Sequence, residues 1–210
     1  NENESFSTAG GITTEAIGET TIKNTTSNIA ITNNVKGTSN INLVVRTGGI
    51  TTWADNIQLL NSNNTGALSA TGETANHVQV GGLISCLLNG YLANVWNAST
   101  ITSIGGVEGQ NIGGIVAYME NCNTTFCAFD SELSGIEEAT ELKPGNGFDT
   151  DFMQSQDFVD LLNSELPEDS LPWQYVEGSY PVLGTSEEQP EDPTASESIA
   201  KSEISFRTVP

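Results

Sequence analysis

The stretch V-G-G-L-I-S-C-L-L-N-G-Y-L-A-N-V-W-N, residues 80–97, decides the fold, because its opening pattern recurs along the chain. A Gly-Gly pair is followed at once by Ile or Leu and then by residues that mostly favour β-strands. Four such pairs occur, separated by 38, 33 and 32 residues: Gly10-Gly11, Gly48-Gly49, Gly81-Gly82 and Gly113-Gly114. Spacings of this size are typical of solenoids, propellers and arrays, so they predict a repeat architecture.

Each unit, numbered from the first glycine of its pair, predicts short strands separated by turns. Strands are expected at residues 41–46 and 77–80, so the following glycine pairs mark tight corners that need positive φ or close backbone approach. A second corner is predicted 13 or 14 positions into each unit, mostly at residues that tolerate left-handed backbone: Asn24, Asn61, Asn94 and Phe126. A third turn is predicted 22 to 27 positions in: Gly37, Gly72, Gly105 and Gly135.

None of these strands is long enough to make a stable sheet by itself. Stacking equivalent strands about 4.8 Å apart would pair their backbone groups and bury one continuous apolar interior. The sequence therefore predicts an all-β fold, a β-solenoid or β-helix of about four repeats over residues 1–148.

Two segments resemble a known family. Residues 80–97, and residues 113–118 running on to 126–130, are similar to GLUG repeats, in which Gly-Gly-Leu-Val-Gly precedes a polar turn and Gly-Thr-Ile-x-Asn-Cys-Tyr. Cys127 stands where the family has its cysteine, and Phe126 replaces the asparagine before it. The resemblance implies a β-solenoid surface protein of bacteria, either an adhesin or the stalk of a larger secreted enzyme.

Residues 149–183 are predicted to form a capping segment with one helix. Acidic residues at its start and apolar residues near helical spacing predict an amphipathic helix over 151–163. Trp173 and the sequence Ser179-Tyr-Pro-Val-Leu183 follow, as they do in GLUG proteins, so we expect this segment to cover the open end of the solenoid. Trp173 is predicted to be a core or cap residue. Residues 184–210 are predicted to be an acidic linker or tail that leads to another domain or ends the chain.

Charge argues against two classes of partner. The chain has 27 acidic residues and six Lys and Arg, with a net charge of −21. Nucleic acids and anionic membranes bind through Lys and Arg, so neither is an expected partner. No apolar run of about 18 residues is present, so membrane insertion is not expected. With the GLUG resemblance, this composition predicts an extracellular or cell-surface location, and the sequence indicates no oligomeric state.

Patterns for nucleophilic catalysis and metal binding are weak. His77 is the only histidine and has no nucleophile motif near it. Cys86, Cys122 and Cys127 fit no zinc pattern, and free thiols are expected, with one disulfide as the alternative. Two acidic pairs could offer oxygen ligands to calcium, namely Asp130-x-Glu132 and Asp149-x-Asp151. Helix capping is the favoured interpretation of both pairs, so no cofactor is predicted.

Paired carboxylates are the stronger catalytic candidate, since glycoside hydrolysis needs two carboxyl groups about 5 to 10 Å apart. Stacked coils could bring Asp55 near Glu108 or Glu120. Sparse acidic residues in such repeats are more often turn residues, so the sequence predicts that the chain is not an enzyme.

The binding hypothesis rests on Trp53, Cys86 and Tyr118, which all stand five places after the first glycine of their unit. Equivalent positions stack in a solenoid, so these side chains form a ladder that is either core packing or an outward strip suited to sugar rings. The predicted function is therefore a non-catalytic adhesin or display module with a protein or carbohydrate ligand. The alternative is an accessory stalk of a larger secreted peptidase or carbohydrate-active enzyme.

Overall fold

A computed structural model describes residues 5–36, 42–136 and 144–185. Its strands follow the chain as successive coils. The first coil contains β1 (Ser5–Gly10), β2 (Glu15–Lys23), β3 (Thr26–Ser27) and β4 (Ile31–Val35). The second contains β5 (Leu43–Gly48), β6 (Thr51–Asn64) and β7 (Leu68–Gly72). The third contains β8 (His77–Gly81), β9 (Ile84–Leu88), β10 (Tyr91–Asn97) and β11 (Ile101–Gly105). The fourth contains β12 (Gly109–Gly113), β13 (Val116–Glu120) and β14 (Asn123–Asp130).

Equivalent strands of successive coils pair in parallel and form three sheets. The first sheet has the order β1-β5-β8-β12, and the third has the order β11-β7-β4. The second sheet is built on β6, which pairs with β2 and β3 on one side and with β9 and β10 on the other. The predicted all-β solenoid is confirmed, with three complete coils and a fourth that, within the described ranges, has no strand in the third sheet.

The glycine pairs form the corner between the first and second sheets. Gly10, Gly48, Gly81 and Gly113 are register partners in sequence, so the four pairs turn the same edge of the stack. Their backbones do not have positive φ. A Cβ on Gly48 would lie 2.0 Å from the carbonyl oxygen of Thr51, and one on Gly49 would lie 2.3 Å from that of Gly82. Close approach of neighbouring backbones is therefore the reason for glycine.

Left-handed residues mark two further positions in each coil. The predicted second corner is confirmed, since Asn24, Asn61 and Asn94 have φ of 53°, 46° and 53°, and Phe126 has 29°. A second series stands eight places after the first glycine of each pair: Gly18, Asn56, Asn89 and Asn121. This series is not predicted from the sequence, although its residue types favour left-handed backbone.

The predicted third turn is only partly correct. Gly72 and Gly105 are register partners in the third sheet. Gly135 is not equivalent to them, because it caps the C-terminus of helix α1 (Ser131–Ser134) with φ of 70°. Gly37 lies outside the described residues.

The interior contains aliphatic ladders. Ile50, Leu83 and Ile115 stand two places after the first glycine of their coils, are joined by backbone hydrogen bonds of 2.8 and 2.9 Å, and are fully buried. A polar ladder accompanies them, since Asn64 Nδ2 donates to Asn97 Oδ1 at 3.1 Å and both side chains are buried.

The two ends of the stack differ. At the last coil, buried Phe129 takes the register position that Asn97 has in the coil before, and it packs against Ile115 in the apolar core. At the first coil, Ile12 belongs to the same ladder as Ile50 but is 53 % exposed. Apolar side chains therefore cover the interior at the last coil, whereas the aliphatic ladder is exposed to solvent at the first coil.

The remaining elements follow the last coil: β15 (Asn146–Phe148), α2 (Thr150–Met153), α3 (Gln156–Ser164), β16 (Trp173–Gln174) and β17 (Val182–Leu183). The prediction of one helix over 151–163 is wrong, because two short helices stand there. The Ser155 side chain accepts a hydrogen bond from the amide of Phe158 at 3.2 Å and starts a new helix. The predicted acidic tail lies, from residue 186 onward, outside the described residues.

Residues 146–183, from β15 to β17, form a helical segment that packs mainly on the outer face of the second sheet. The sequence predicts instead that this segment covers the end of the stack. Trp96 of β10 is fully buried and lies 6.2 Å from Phe158 and 5.4 Å from Trp173, measured between ring centroids. Trp173 is 2 % exposed and donates from Nε1 to Asn61 Oδ1 at 2.7 Å. The prediction that it is a core or cap residue is confirmed. No helix within the described ranges is long and apolar enough to cross a membrane.

Candidate recognition groove

Trp53, Cys86 and Tyr118 form the ladder that the sequence predicts. Trp53 pairs in register with Cys86, and Cys86 pairs with Tyr118, on strands β6, β9 and β13. Glu15 of β2 precedes Trp53 in the same ladder. Successive members are therefore about 4.8 Å apart along the stack.

The ladder faces outward. Trp53 and Tyr118 are half-buried, and they line an open groove of about 320 Å³ together with the edge of buried Cys86. Of the two orientations that the sequence leaves open, the structure has the one in which the aromatic side chains contact a concave outer surface.

The opposite wall of the groove comes from the first sheet. Arg46, Gln79 and Asn111 are register partners on β5, β8 and β12, and all three line the same groove. The Gly-Gly corner joins the two walls. This ladder is not predicted above, although the sequence contains a signal for it, because each of these residues stands two places before the first glycine of its pair.

Arg46 holds the two walls together. Its guanidinium carbon lies 4.7 Å from the centroid of the Trp53 ring and 4.5 Å from that of Phe6, both distances typical of cation–π contacts. Its Nε donates to Gln79 Oε1 at 2.9 Å. These contacts fix the guanidinium and the indole relative to each other before any ligand arrives.

The groove continues to the first coil. A second cavity of about 200 Å³ shares Arg46 and Trp53 and is also lined by Phe6, Thr8 and Glu15. Thr8 pairs in register with Arg46. It therefore extends the polar wall, the ladder of Arg46, Gln79 and Asn111, by one coil. The groove therefore spans all four coils, and its long axis follows the stacking direction.

Carboxylates lie along the aromatic wall. The Tyr118 hydroxyl donates to Glu120 Oε2 at 3.0 Å, and this hydrogen bond is the main reason that the pKa of Tyr118 is raised. Asp55 Oδ1 accepts from Asn89 Nδ2 at 2.9 Å. Both acidic side chains thus have a neutral hydrogen-bond donor.

One of the two predicted carboxylate pairs lies in a single ladder. Asp55, Leu88 and Glu120 form one ladder, so the two acidic residues are two coils apart, roughly 10 Å along the stack. Glu108 lies elsewhere, at the rim, where its carboxylate is 3.4 Å from His77 Nε2. His77 begins β8 and lines the groove edge.

The remaining candidates for chemistry are the three cysteines and a metal site. Cys86, Cys122 and Cys127 are unbonded thiols, and burial raises the pKa of Cys86 although the nearby Arg46 opposes that shift. Within the described ranges, no group of three or more His, Cys, Asp or Glu side chains is placed to hold a metal ion.

In each of the two acidic pairs considered for calcium, the first residue caps a helix and the second lies in its first turn. Asp130 accepts from the amide of Leu133 at 2.7 Å, and Asp149 accepts from that of Phe152 at 2.7 Å. The favoured interpretation of these pairs as caps is confirmed.

Neither a family model, nor a curated protein, nor a solved structure matches this chain. The similarity to GLUG repeats stays a prediction from the residues quoted for it.

Proposed function

We propose that this chain is a non-catalytic recognition module, displayed outside the cell, that binds a glycan on a host or matrix surface through the groove. The observation that carries the proposal is the outward ladder of Trp53 and Tyr118 facing the polar ladder of Arg46, Gln79 and Asn111.

This combination suits sugars for a physical reason. One face of a sugar ring is lined by C–H groups and packs against aromatic rings, whereas its hydroxyl groups both donate and accept hydrogen bonds. Amide side chains such as those of Gln79 and Asn111 also do both, and the guanidinium of Arg46 donates. The groove presents the two kinds of group on opposite walls, within reach of one ligand.

A glycan array with purified protein tests the proposal. We expect binding to a defined set of glycans and a loss of at least about tenfold in affinity for Trp53→Ala and for Tyr118→Ala, because each removes a stacking surface. Tyr175→Ala is the matched control, since Tyr175 is 42 % exposed and does not line the groove. Unchanged binding in both groove variants, or no binding to any glycan, would refute the proposal.

A catalytic alternative rests on Asp55 and Glu120, whose backbones lie two coils apart, roughly 10 Å along the stack. Glycoside hydrolysis needs two carboxyl groups about 5 to 10 Å apart. Release of new reducing ends from a bound glycan, abolished in both Asp55→Asn and Glu120→Gln, would replace the proposed role with hydrolysis. The proposal expects no release.

A second alternative assigns the chain to a larger secreted enzyme as an accessory region. The Pro-containing acidic stretch over residues 187–193 favours it, because such composition is typical of linkers between domains. The full-length gene product distinguishes the two: a catalytic domain, for example one with a His-Glu-x-x-His helix, would favour the accessory role. The groove would then hold the substrate for that domain.

A further inference from the structure

We infer that the ligand of the groove is an extended, uncharged polysaccharide whose chain lies parallel to the stacking axis, with one sugar unit over each coil. This inference rests on the proposed glycan recognition and adds the class and direction of the ligand.

The direction follows from the register. Both walls are ladders of equivalent residues, so every feature of the groove repeats along the stack and none repeats across it. The two cavities are contiguous because Arg46 and Trp53 line both of them. A compact ligand would occupy only part of such a groove, whereas a linear polymer can contact all four coils.

The aromatic spacing indicates the repeat of the polymer. Trp53 stands on the second coil and Tyr118 on the fourth, and between them the third coil has Cys86, which is only 3 % exposed. Two stacking surfaces are therefore separated by two coils, roughly 10 Å, with open space between them. In an extended β-1,4-linked chain, alternate sugar rings present the same face, and the repeat of two units has about this length.

The polar wall complements this arrangement. Gln79 stands on the third coil, opposite Cys86, and Asn111 stands on the fourth, opposite Tyr118. A sugar unit over the third coil would therefore meet an amide where it meets no aromatic ring. Each unit of the bound chain has at least one side chain suited to contact it.

Charge selects against acidic polysaccharides. Among the described residues that line the two cavities, Arg46 is the only Lys or Arg, and its guanidinium stacks on Phe6 and Trp53. Glu15 and Glu120 also line the groove, and the net charge of the whole chain is −21. A polyanion would be repelled over the length of the groove, whereas an uncharged chain would not.

Calorimetric titration with β-1,4-linked oligomers of one to six units tests this inference. We would use glucose, mannose and N-acetylglucosamine oligomers, and β-1,4-linked oligomannuronates as the acidic match. For at least one neutral series, we expect the affinity to rise by at least about tenfold from two to four units and then to level off. Binding that is as tight for single sugars as for four units, or tighter for oligomannuronates, would overturn the inference.

Variants separate the stacking surfaces. In Tyr118→Ala, the gain in affinity on extending the oligomer to four units should disappear, whereas Tyr118→Phe should keep it, because the ring remains and only the hydrogen bond to Glu120 is lost. Cys86→Phe should weaken the binding of four units by filling the space between the rings. Circular dichroism and thermal unfolding would show that each variant is folded, and Trp53→Ala provides a second test if Tyr118→Ala is not.

The same titrations distinguish the inference from the proposed function. Absence of binding to every glycan on the array and to every oligomer would remove both. Binding on the array, reduced by the groove variants, but without dependence on oligomer length would leave the recognition role and remove only the extended, axial ligand.

Discussion

Tyr180 and Cys127 illustrate how single side chains set the behaviour of this protein in alkali. Burial raises the pKa of Cys127 to about 12. Burial, together with a hydrogen bond from the hydroxyl to Asp130 Oδ2 at 2.6 Å, raises the pKa of Tyr180 to about 12. In both cases the folded protein favours the neutral, protonated group.

The sign of the pH dependence follows from these shifts. The usual values are 9.0 for the thiol and 10.0 for the phenol, so the unfolded chain releases these protons at lower pH than the folded one. We expect the free energy of unfolding to be unaffected by these groups below about pH 8 and to fall as the pH rises toward 12. Urea unfolding at several pH values would measure this.

The matched variants are Tyr180→Phe and Cys127→Ala. Each removes one ionisable group, so each should make the alkaline decrease in the free energy of unfolding less steep. A decrease of the same slope in both variants would show that other groups cause it.

At the scale of the element, left-handed residues allow the long strands to bend. Asn56 interrupts the pairing register of β6 with φ of 57°, and its side chain is exposed. An exposed position makes the backbone effect measurable, because little packing is lost when the side chain changes.

We expect Asn56→Ala to lower the free energy of unfolding by roughly 1 kcal/mol, because alanine adopts left-handed backbone at a cost. Asn56→Gly should change it by less than about 0.5 kcal/mol, since glycine has no such cost. Gln58→Ala is the control, as Gln58 is an exposed residue of the same strand without positive φ. Equal effects of Ala and Gly at position 56 in urea unfolding would contradict this account.

Left-handed asparagines also hold the helical segment against the second sheet. Asn61 accepts from Trp173 Nε1 at 2.7 Å and from Asn94 Nδ2 at 2.9 Å, and it donates to the carbonyl of Leu171 at 2.8 Å. Asn61, which bends the strand, therefore also binds the helical segment. The bend and the docking of that segment are built from one set of asparagines.

At the scale of the whole molecule, the two ends of the stack differ in how well they cover the interior. Ile12 and Ile50 occupy equivalent positions in adjacent coils, yet Ile12 is 53 % exposed and Ile50 is fully buried. Among the described residues, no coil precedes the first, which explains the difference.

This asymmetry predicts unequal costs for the same substitution. Ile50→Ala should lower the free energy of unfolding by roughly 2 to 5 kcal/mol, the range for removing a fully buried aliphatic side chain. Ile12→Ala should lower it by about 1 kcal/mol or less, because part of that side chain is already in water. Denaturant unfolding of both variants would measure the difference, and equal costs would mean that Ile12 is covered in solution.

Much of the fold and part of the candidate site follow from the sequence. The Gly-Gly pairs predict the solenoid, because close approach of stacked backbones leaves no room for a Cβ at that corner in any coil. Their spacing also predicts the ladder of Trp53, Cys86 and Tyr118, since equivalent positions in a stack must superimpose.

By itself, then, the sequence determined the repeat, the corner and the in-register ladders, all of which depend on local backbone geometry and on the period. The tertiary structure decided the rest: that the ladder faces outward, that Arg46 and Gln79 face it, and that the helical segment covers a side of the stack. These depend on the angle between two sheets and on contacts between residues far apart in the chain, such as Trp96 with Phe158. Spacing along one chain carries no information about either.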